Sequence, residues 1–447
     1  MFAFSKKIPI TATPDVLVCG AGLAGIGAAV AAARLGANTL VVERNGFAGG
    51  FFTAIMGSAF DGFADERTGS PVVGGIVFEM LERMGVIQPG QGPHLRYNVN
   101  GDLLFVEMHP ERIIPRCDPE RFKRAADDIL ADAGVDVLFH TQVADVNALH
   151  ARVDTVIASN KSGLIAIRPK LVIDCTGDGD VAAWAGAPFE KAESLQAMSL
   201  HFRIGDLEPS FELRRRCAEV LQRAHQRGEL NLYAGPHPAT FSGRDVYFNA
   251  TRYPGDNTDP ADWTAAEIQG RHDAWKMFEL WKAELTEFED AYFMTSGPVA
   301  GARESRRIVG DYVLTGDDVR AGRDQEDVVV LGAWRLDRHP PDSAGYHDMP
   351  WTPPYAIGLR TLLPQRLENL LVAGRCHSAT SEALASSRVT ATAMGMGQAA
   401  GTAAALAIAN RTTVRELDIT ELQSRLRAAG AILEAPKSGV VPGDPVL

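Results

Sequence analysis

The sequence predicts an α/β fold: a parallel sheet covered by helices, a small antiparallel meander beside it, and an inserted α+β region. Three observations carry that prediction. An apolar run, a glycine-rich turn, a small-residue helix and a second apolar run follow one another between Asp15 and Glu43, which is the order of a parallel strand–helix–strand crossover. Short apolar runs at 143–149, 153–159 and 164–167 lie too close together for helices and suit consecutive strands of a meander. The texture of the first unit returns after residue 297, so the stretch before it reads as an insertion.

Taken in order, Asp15-Val-Leu-Val-Cys-Gly20 is a buried strand, 23–35 an alanine-rich helix stopped at Gly36, and Thr39-Leu-Val-Val-Glu43 the second strand. A polar, glycine-rich stretch at 57–75 precedes an amphipathic helix around 76–84, and 119–133 is helical again. Residues 135–139 are expected to open the meander, and 171–175 return to buried-strand character. From 193 to 296, Trp263, Trp275 and Trp281, several prolines and long amphipathic patterns mark an inserted substrate region. A strand at 370–373 and a small-residue helix at 395–409 complete the main fold. The expected division is therefore one discontinuous nucleotide-binding domain (14–60, 115–192 and 297–430), a substrate or cap region (61–114 and 193–296), and a proline-containing tail (431–447).

Composition narrows the function classes. Forty-four basic against 56 acidic residues give a net charge of −12 over 447 residues, which argues against nucleic acid or an anionic membrane surface as the main partner. The five cysteines contain no CxxC pair, so neither a disulfide scaffold nor a structural metal site is expected, and a reducing cytoplasm suits the chain. Lys6-Lys7 and the uncharged run 16–33 superficially copy a secretory signal. Four glycines break that run, and a strand, turn and helix explain it better.

The segment Gly20-Ala-Gly22-Leu-Ala-Gly25 follows a strand and opens a helix. Its glycines allow a sharp turn, close approach of backbone to a pyrophosphate, and tight helix–strand packing. Glu43, at the end of the second strand, is placed to accept hydrogen bonds from an adenosine ribose. Together these point to a dinucleotide. A second glycine pair follows in Arg44-Asn-Gly-Phe-Ala-Gly49-Gly50. This run resembles the glutathione-reductase-like class of FAD proteins, and NAD is the alternative cofactor.

Three further stretches sharpen the resemblance: Asp174-Cys-Thr176-Gly177-Asp178-Gly-Asp180, Gly301-Ala-Arg303-Glu-Ser-Arg306-Arg-Ile-Val-Gly310, and Asn369-Leu-Leu-Val-Ala-Gly374-Arg375-Cys376-His377 running on through Arg388 to Met396-Gly397-Gln398. They resemble the bacterial FAD-dependent oxidoreductases related to heterodisulfide reductase flavin subunits and thiazole-synthesis flavin-fold proteins, over residues 14–190 and 297–410. The resemblance implies a Rossmann-like FAD domain with contacts from Gly20, Gly22, Ala24, Gly25, Glu43, Arg44, Gly49, Gly50, Val143, Thr176, Gly177, Asp178, Gly374, Arg375, Met396, Gly397 and Gln398. Small residues at Gly397, Ala400, Gly401 and Ala404 give the last helix a smooth face for a neighbour or a flat ring. Its N-terminus, near 395–398, is expected to point a positive dipole at the flavin. Many relatives carry an Asp after the Val-Ala-Gly turn for the ribityl chain; Arg375 stands there instead.

Catalysis beside a flavin needs a base and an anchor for substrate charge. Arg303, Arg306 and Arg388 are candidate anchors, because a guanidinium fork binds a carboxylate bidentately. His339, two residues from Asp337, and His377 are candidate bases; Cys376 reads as a packing residue, and His109, His201, His237 and His347 as surface or structural. No metal motif is present. The expected protein is an FAD-dependent dehydrogenase or oxidase that takes a hydride from a small polar organic substrate, and a carboxylated or hydroxylated one would suit the arginines. The alternatives are a monooxygenase using NAD(P)H and a non-catalytic flavoprotein subunit of a complex. The absence of a second strand-preceded GxGxxG leaves oxygen, a quinone or a partner protein as electron acceptors.

Overall fold

The computed structural model describes residues 5–68, 70–87, 117–208, 210–242 and 244–435. Five strands lie side by side in the order Leu370–Val372, Leu171–Asp174, Val16–Cys19, Thr39–Val42 and Asp136–Leu138, all parallel. Parallel strands are joined by crossovers that cover both faces, so they are apolar along their length; Val16–Cys19, Thr39–Val42 and Leu171–Asp174 are buried throughout.

The fifth strand departs from expectation. Residues 135–139 were to open the meander, but Asp136–Leu138 pairs with Thr39–Val42 at the sheet edge. Helix Pro119–Asp132 immediately precedes it, and a strand delivered by a helical crossover joins its neighbour in parallel. The meander holds Gln142–Leu149, Arg152–Asn160 and Gly163–Ile167 in antiparallel order, with Ile10–Ala12 added parallel to the last.

Helix Leu23–Arg34 packs directly on helix Thr390–Asn410. Side chains are missing where the two backbones meet. A Cβ on Gly27 would stand 2.4 Å from the Met394 carbonyl oxygen, one on Gly397 1.9 Å from that of Ala24, and one on Gly401 2.1 Å from that of Ala28. The long helix begins five residues earlier than expected, because the β-branched Thr390 and Thr392 weaken its local signal while packing stabilises the turn.

Helix Ile76–Arg83 joins the same core. Gln398 Oε1 accepts from the Ile76 N–H at 3.0 Å, and Phe63, Val72, Ile76 and Val77 share one apolar cluster with Ile26 and Met396. Residues 61–87 therefore pack with the sheet and its helices rather than with the inserted region, because the apolar stripe of this helix buries on the long helix. Residues 88–114 lie outside the described residues, as do 436–447 of the expected tail.

The inserted region builds an antiparallel sheet in the order His237–Ser242, Asp245–Asn249, Phe202–Gly205 and Tyr292–Ser296. Helices Phe211–Gln226 and Pro260–Glu284 contribute to its separate core, in which Phe202, Phe248, Trp281 and Phe288 meet. Trp281 is fully buried, and its indole N–H donates to the Cys217 carbonyl at 3.1 Å. Among the described residues no helix is long and apolar enough to cross a membrane.

Candidate cofactor cleft and active site

A cleft opens where the parallel strands end. Gly20, Glu43, Thr141, Thr176 and Gly374 each lie just past the C-terminal end of a strand, and all border it. This is where open parallel sheets bind ligands, because the crossover loops diverge there. The inserted region supplies the facing wall with His201, Asn249, Asn257 and Trp263.

The first turn is held by its own backbone. Gly20 N–H donates to the Val42 carbonyl and Gly49 N–H to that of Ala21, both at 2.8 Å. A Cβ on Gly25 would lie 1.8 Å from the Gly20 carbonyl oxygen, so this position secures the turn and does not border the cleft. Glu43 is 7% exposed, with Oε2 accepting from the Ala21 N–H at 2.8 Å and Oε1 from the Asn45 backbone and side-chain amides at 2.9 and 2.8 Å. Its orientation is thereby set, and Oε2 keeps a lone pair for a hydroxyl donor.

Asp174 organises the second turn. Its Oδ1 accepts from the Thr176 N–H and hydroxyl, and its Oδ2 from the Ala182 N–H. Complete burial pushes its pKa up to about 6. Next to it, Asp178 Oδ1 receives Arg375 Nη2 at 2.7 Å, the Ser305 hydroxyl at 2.7 Å and Asn257 Nδ2 at 2.8 Å. Burial alone would raise the Asp178 pKa, but the Arg375 charge and these donors hold it below the usual range.

Of the expected cofactor residues, Gly20, Gly22, Ala24, Glu43, Arg44, Gly50, Val143, Thr176, Gly177, Asp178, Gly374 and Arg375 border the cleft. Gly49, Met396, Gly397 and Gln398 do not. The last two lie about two turns inside the long helix, where Gly397 meets helix Leu23–Arg34 and Gln398 meets Ile76. The helix end that reaches the cleft is instead at Val389, Thr390 and Ala393.

The candidate catalytic residues separate in the same way. Arg303, Arg388 and His339 border the cleft. Arg306 is turned away, donating to the Asp178 carbonyl at 3.1 Å and pairing with Asp180 at 2.7 Å. His377 is fully buried, with Nδ1 at 2.9 Å from the Gly374 carbonyl and Nε2 at 3.0 Å from the Ser387 hydroxyl. Both of its ring nitrogens are occupied, so it secures the Val-Ala-Gly turn and offers no free lone pair to the cleft.

His339 Nε2 lies 3.0 Å and His347 Nε2 2.8 Å from Asp337 Oδ1, while Arg388 stands 3.7 Å from Oδ2. Burial and the nearby Arg303 keep His339 neutral. Burial opposes ionisation of Asp337, but the imidazole donors and Arg388 outweigh it and hold the carboxylate well below its ordinary pKa. Asp337, His339 and His347 lie within reach of a shared cation. Two features weigh against one: the neighbouring guanidinium charges, and Nδ1 atoms on both rings that are buried without an acceptor for the N–H a metal-bound imidazole would carry. With both Nε2 atoms as donors to Asp337, the Nδ1 atoms are lone pairs.

Arg303 is 8% exposed and donates to the Ala197 carbonyl at 2.7 Å, the Ser199 hydroxyl at 2.8 Å and Asn249 Oδ1 at 3.4 Å. Among the described residues no carboxylate forms an ion pair with it. Burial and the Arg388 charge push its pKa down to about 9. His201, expected to be surface or structural, borders the cleft with Nδ1 3.0 Å from the Tyr247 hydroxyl. His201, Asn249, Asn257 and Trp263 carry no motif in the sequence, since only folding of the inserted region brings them to this wall.

The cleft suits FAD on its own chemistry. Two helices, N-capped by Gly22 and Val389 without side-chain capping bonds, start here; in the second the Ala391 N–H is already donated to the Asp61 carbonyl, and the other first-turn N–H donors remain. A Cβ on Gly22 would meet nothing within 4 Å, so the backbone faces open space there. Asn257 Oδ1 is a buried acceptor without a donor. Donors for phosphates and acceptors for hydroxyls are what a dinucleotide needs.

The parallel sheet, the glycine turn and the acid at the end of the second strand define a dinucleotide-binding flavoenzyme fold. Residues 15–426 match the model of the FAD dependent oxidoreductase family, and the chain belongs to that family. It is an FAD-dependent oxidoreductase. Similar solved structures include a geranylgeranyl bacteriochlorophyll reductase-like protein from Thermoplasma acidophilum (12% identity, 94% of this chain and 84% of that one, TM-score 0.47). Others are p-nitrophenol 4-monooxygenase from Pseudomonas putida (12%, 93% and 84%, TM-score 0.43) and the myxobacterial chondrochloren halogenase (13%, 94% and 79%, TM-score 0.44). No curated protein matches the chain.

The buried imidazoles make a prediction about stability. Burial pushes His201 down to about 3 and His377 to about 4, from an ordinary value of 6.5. Below pH 6.5 the unfolded chain takes up protons that the folded protein refuses, so stability is whole above that pH and falls as the solution is acidified toward 4. By about pH 5 each site costs about 2 kcal/mol. Urea melts at pH 7.5 and pH 5 should show the loss, and His377→Asn should reduce it. An unchanged pH slope in that variant would refute the account.

Proposed function

We propose that this enzyme oxidises a small carboxylated alcohol or amine. Bound FAD would supply the two-electron acceptor for the hydride leaving the substrate C–H bond. Arg303, assisted by Arg388, binds the carboxylate, and His339 takes the proton from the substrate O–H or N–H at Nδ1 as the C=O or C=N bond forms. Asp337 holds His339 in the tautomer that leaves that nitrogen free and stabilises the imidazolium that results. The observation that carries the reading is Arg303: a buried guanidinium on the cleft wall that, among the described residues, donates to neutral oxygens and pairs with no carboxylate. A buried charge without a carboxylate in ion-pair contact is costly, and a substrate anion there offsets the cost.

The test is an anaerobic screen of hydroxy- and amino-acids against purified holoenzyme, read as bleaching of the visible flavin absorption. Bleaching by a carboxylated substrate, but not by its amide, is the expected result. Rapid bleaching by NADPH, with none by such acids, would instead favour the monooxygenase alternative. With a substrate in hand, His339→Gln should lower the anaerobic reduction rate by about 10²- to 10⁴-fold, and an unchanged rate would remove His339 from the mechanism.

A further inference from the structure

We infer that the inserted region is part of the cofactor site: Trp263 with Arg44 receives the adenine, and Asn257 with Asp178 receives hydroxyls of the ribityl chain. The inference rests on the cofactor being FAD and is independent of the substrate proposed above.

Trp263 stands in the first turn of helix Pro260–Glu284, whose start is capped by Asp259 accepting from the Ala261 N–H at 2.8 Å. Its indole N–H donates to the Ala300 carbonyl at 3.3 Å, and the ring packs beside Met198, Tyr253 and Ala266. The Arg44 guanidinium lies 5.0 Å from the centre of that ring. Among the described residues Arg44 has no carboxylate partner. It directly follows Glu43, the acid placed for the adenosine ribose, and both line the cleft with Trp263. A guanidinium over an indole stacks with planar π-systems, and a purine supplies one. This end of the cleft is thus closed by a residue of the main domain and one of the insert, each flat and each oriented by the other.

Six residues earlier the same segment reaches the second turn. Asn257 is 5% exposed, and its Nδ2 is spent on Asp178 Oδ1. That oxygen also takes the Ser305 hydroxyl and Arg375. Asn257 Oδ1 is buried without a donor, and among the described residues Asp178 Oδ2 receives no hydrogen bond. Both side chains border the cleft. Two acceptors therefore await donors beside the Gly374 turn, where Arg375 turns two of its N–H groups to Ser305 and Asp178. A row of hydroxyls supplies such donors, whereas a phosphate does not.

The two contacts are separable by ligand. Apoprotein would be titrated with FAD, which reaches both, and with ADP, which lacks the ribityl chain. Trp263→Ala should weaken ADP and FAD by tenfold or more each, with Trp263→Phe restoring most of the loss. Arg44→Ala should add little on the Trp263→Ala background. Asn257→Ala should weaken FAD by about tenfold and leave ADP within twofold. Should the apoprotein not survive stripping, the rate of FAD release from holoenzyme replaces the titration, with tenfold faster release expected for Trp263→Ala and Asn257→Ala. ADP affinity unmoved by Trp263→Ala, equal loss of ADP and FAD in Asn257→Ala, or release rates equal to wild type would overturn the inference.

Discussion

Arg303→Ala should lower kcat/KM toward the carboxylated substrate by roughly 30- to 1,000-fold, the equivalent of about 2–4 kcal/mol for deleting one side of a buried charged contact. The loss should fall mainly on KM, since the guanidinium binds a group that does not react. Arg303→Lys should retain part of the activity, because a point charge remains while the fork is lost. An uncharged analogue of the substrate should be processed almost equally by wild type and variant. That comparison separates anchoring from scaffolding, because Arg303 also ties the Ala197 carbonyl and the Ser199 hydroxyl. If both substrates lose activity together, the residue is structural. If neither does, the anionic group binds elsewhere.

The largest stability effect should come from Gly397→Ala. The added methyl would sit 1.9 Å from the Ala24 carbonyl oxygen and 2.7 Å from its carbonyl carbon. These are backbone atoms of the helix that opens the dinucleotide turn, so relief requires the two helices to separate. About 3 kcal/mol is expected from such overpacking, read as an earlier denaturant midpoint. Gly401→Ala acts on the same seam, and the double variant should not be additive. The measurement also decides between two roles for this glycine. Were Gly397 a cofactor contact, as the sequence pattern suggested, the variant would lose FAD affinity while the apoprotein melted as before. With the helix seam responsible, the apoprotein itself should melt earlier.

Legibility differed sharply along the chain. The segment from Asp15 to Glu43 was readable because everything it needs is local: the strands, the turn and the helix that joins them lie within one short stretch. Asp136–Leu138 was assigned to the wrong sheet, because a three-residue strand carries no sign of which neighbour it will pair with. His377 and His339 looked alike as bases. Folding buries one between the Gly374 carbonyl and the Ser387 hydroxyl, and sets the other on the cleft wall against Asp337.

The sequence by itself determined the dinucleotide fold and its cofactor class, since glycine spacing, the acid ending the second strand and apolar strands act over a few residues and need no distant partner. Tertiary structure alone decided which charges remain unpaired in the cleft. Arg306, Arg375 and Arg388 find carboxylates close at hand while Arg303, among the described residues, forms no ion pair, and the insert brings Asn257 and Trp263 against the opposite wall. Ion pairing and burial depend on what arrives from hundreds of residues away, so chemistry that rests on an uncompensated charge becomes visible only when the chain is folded.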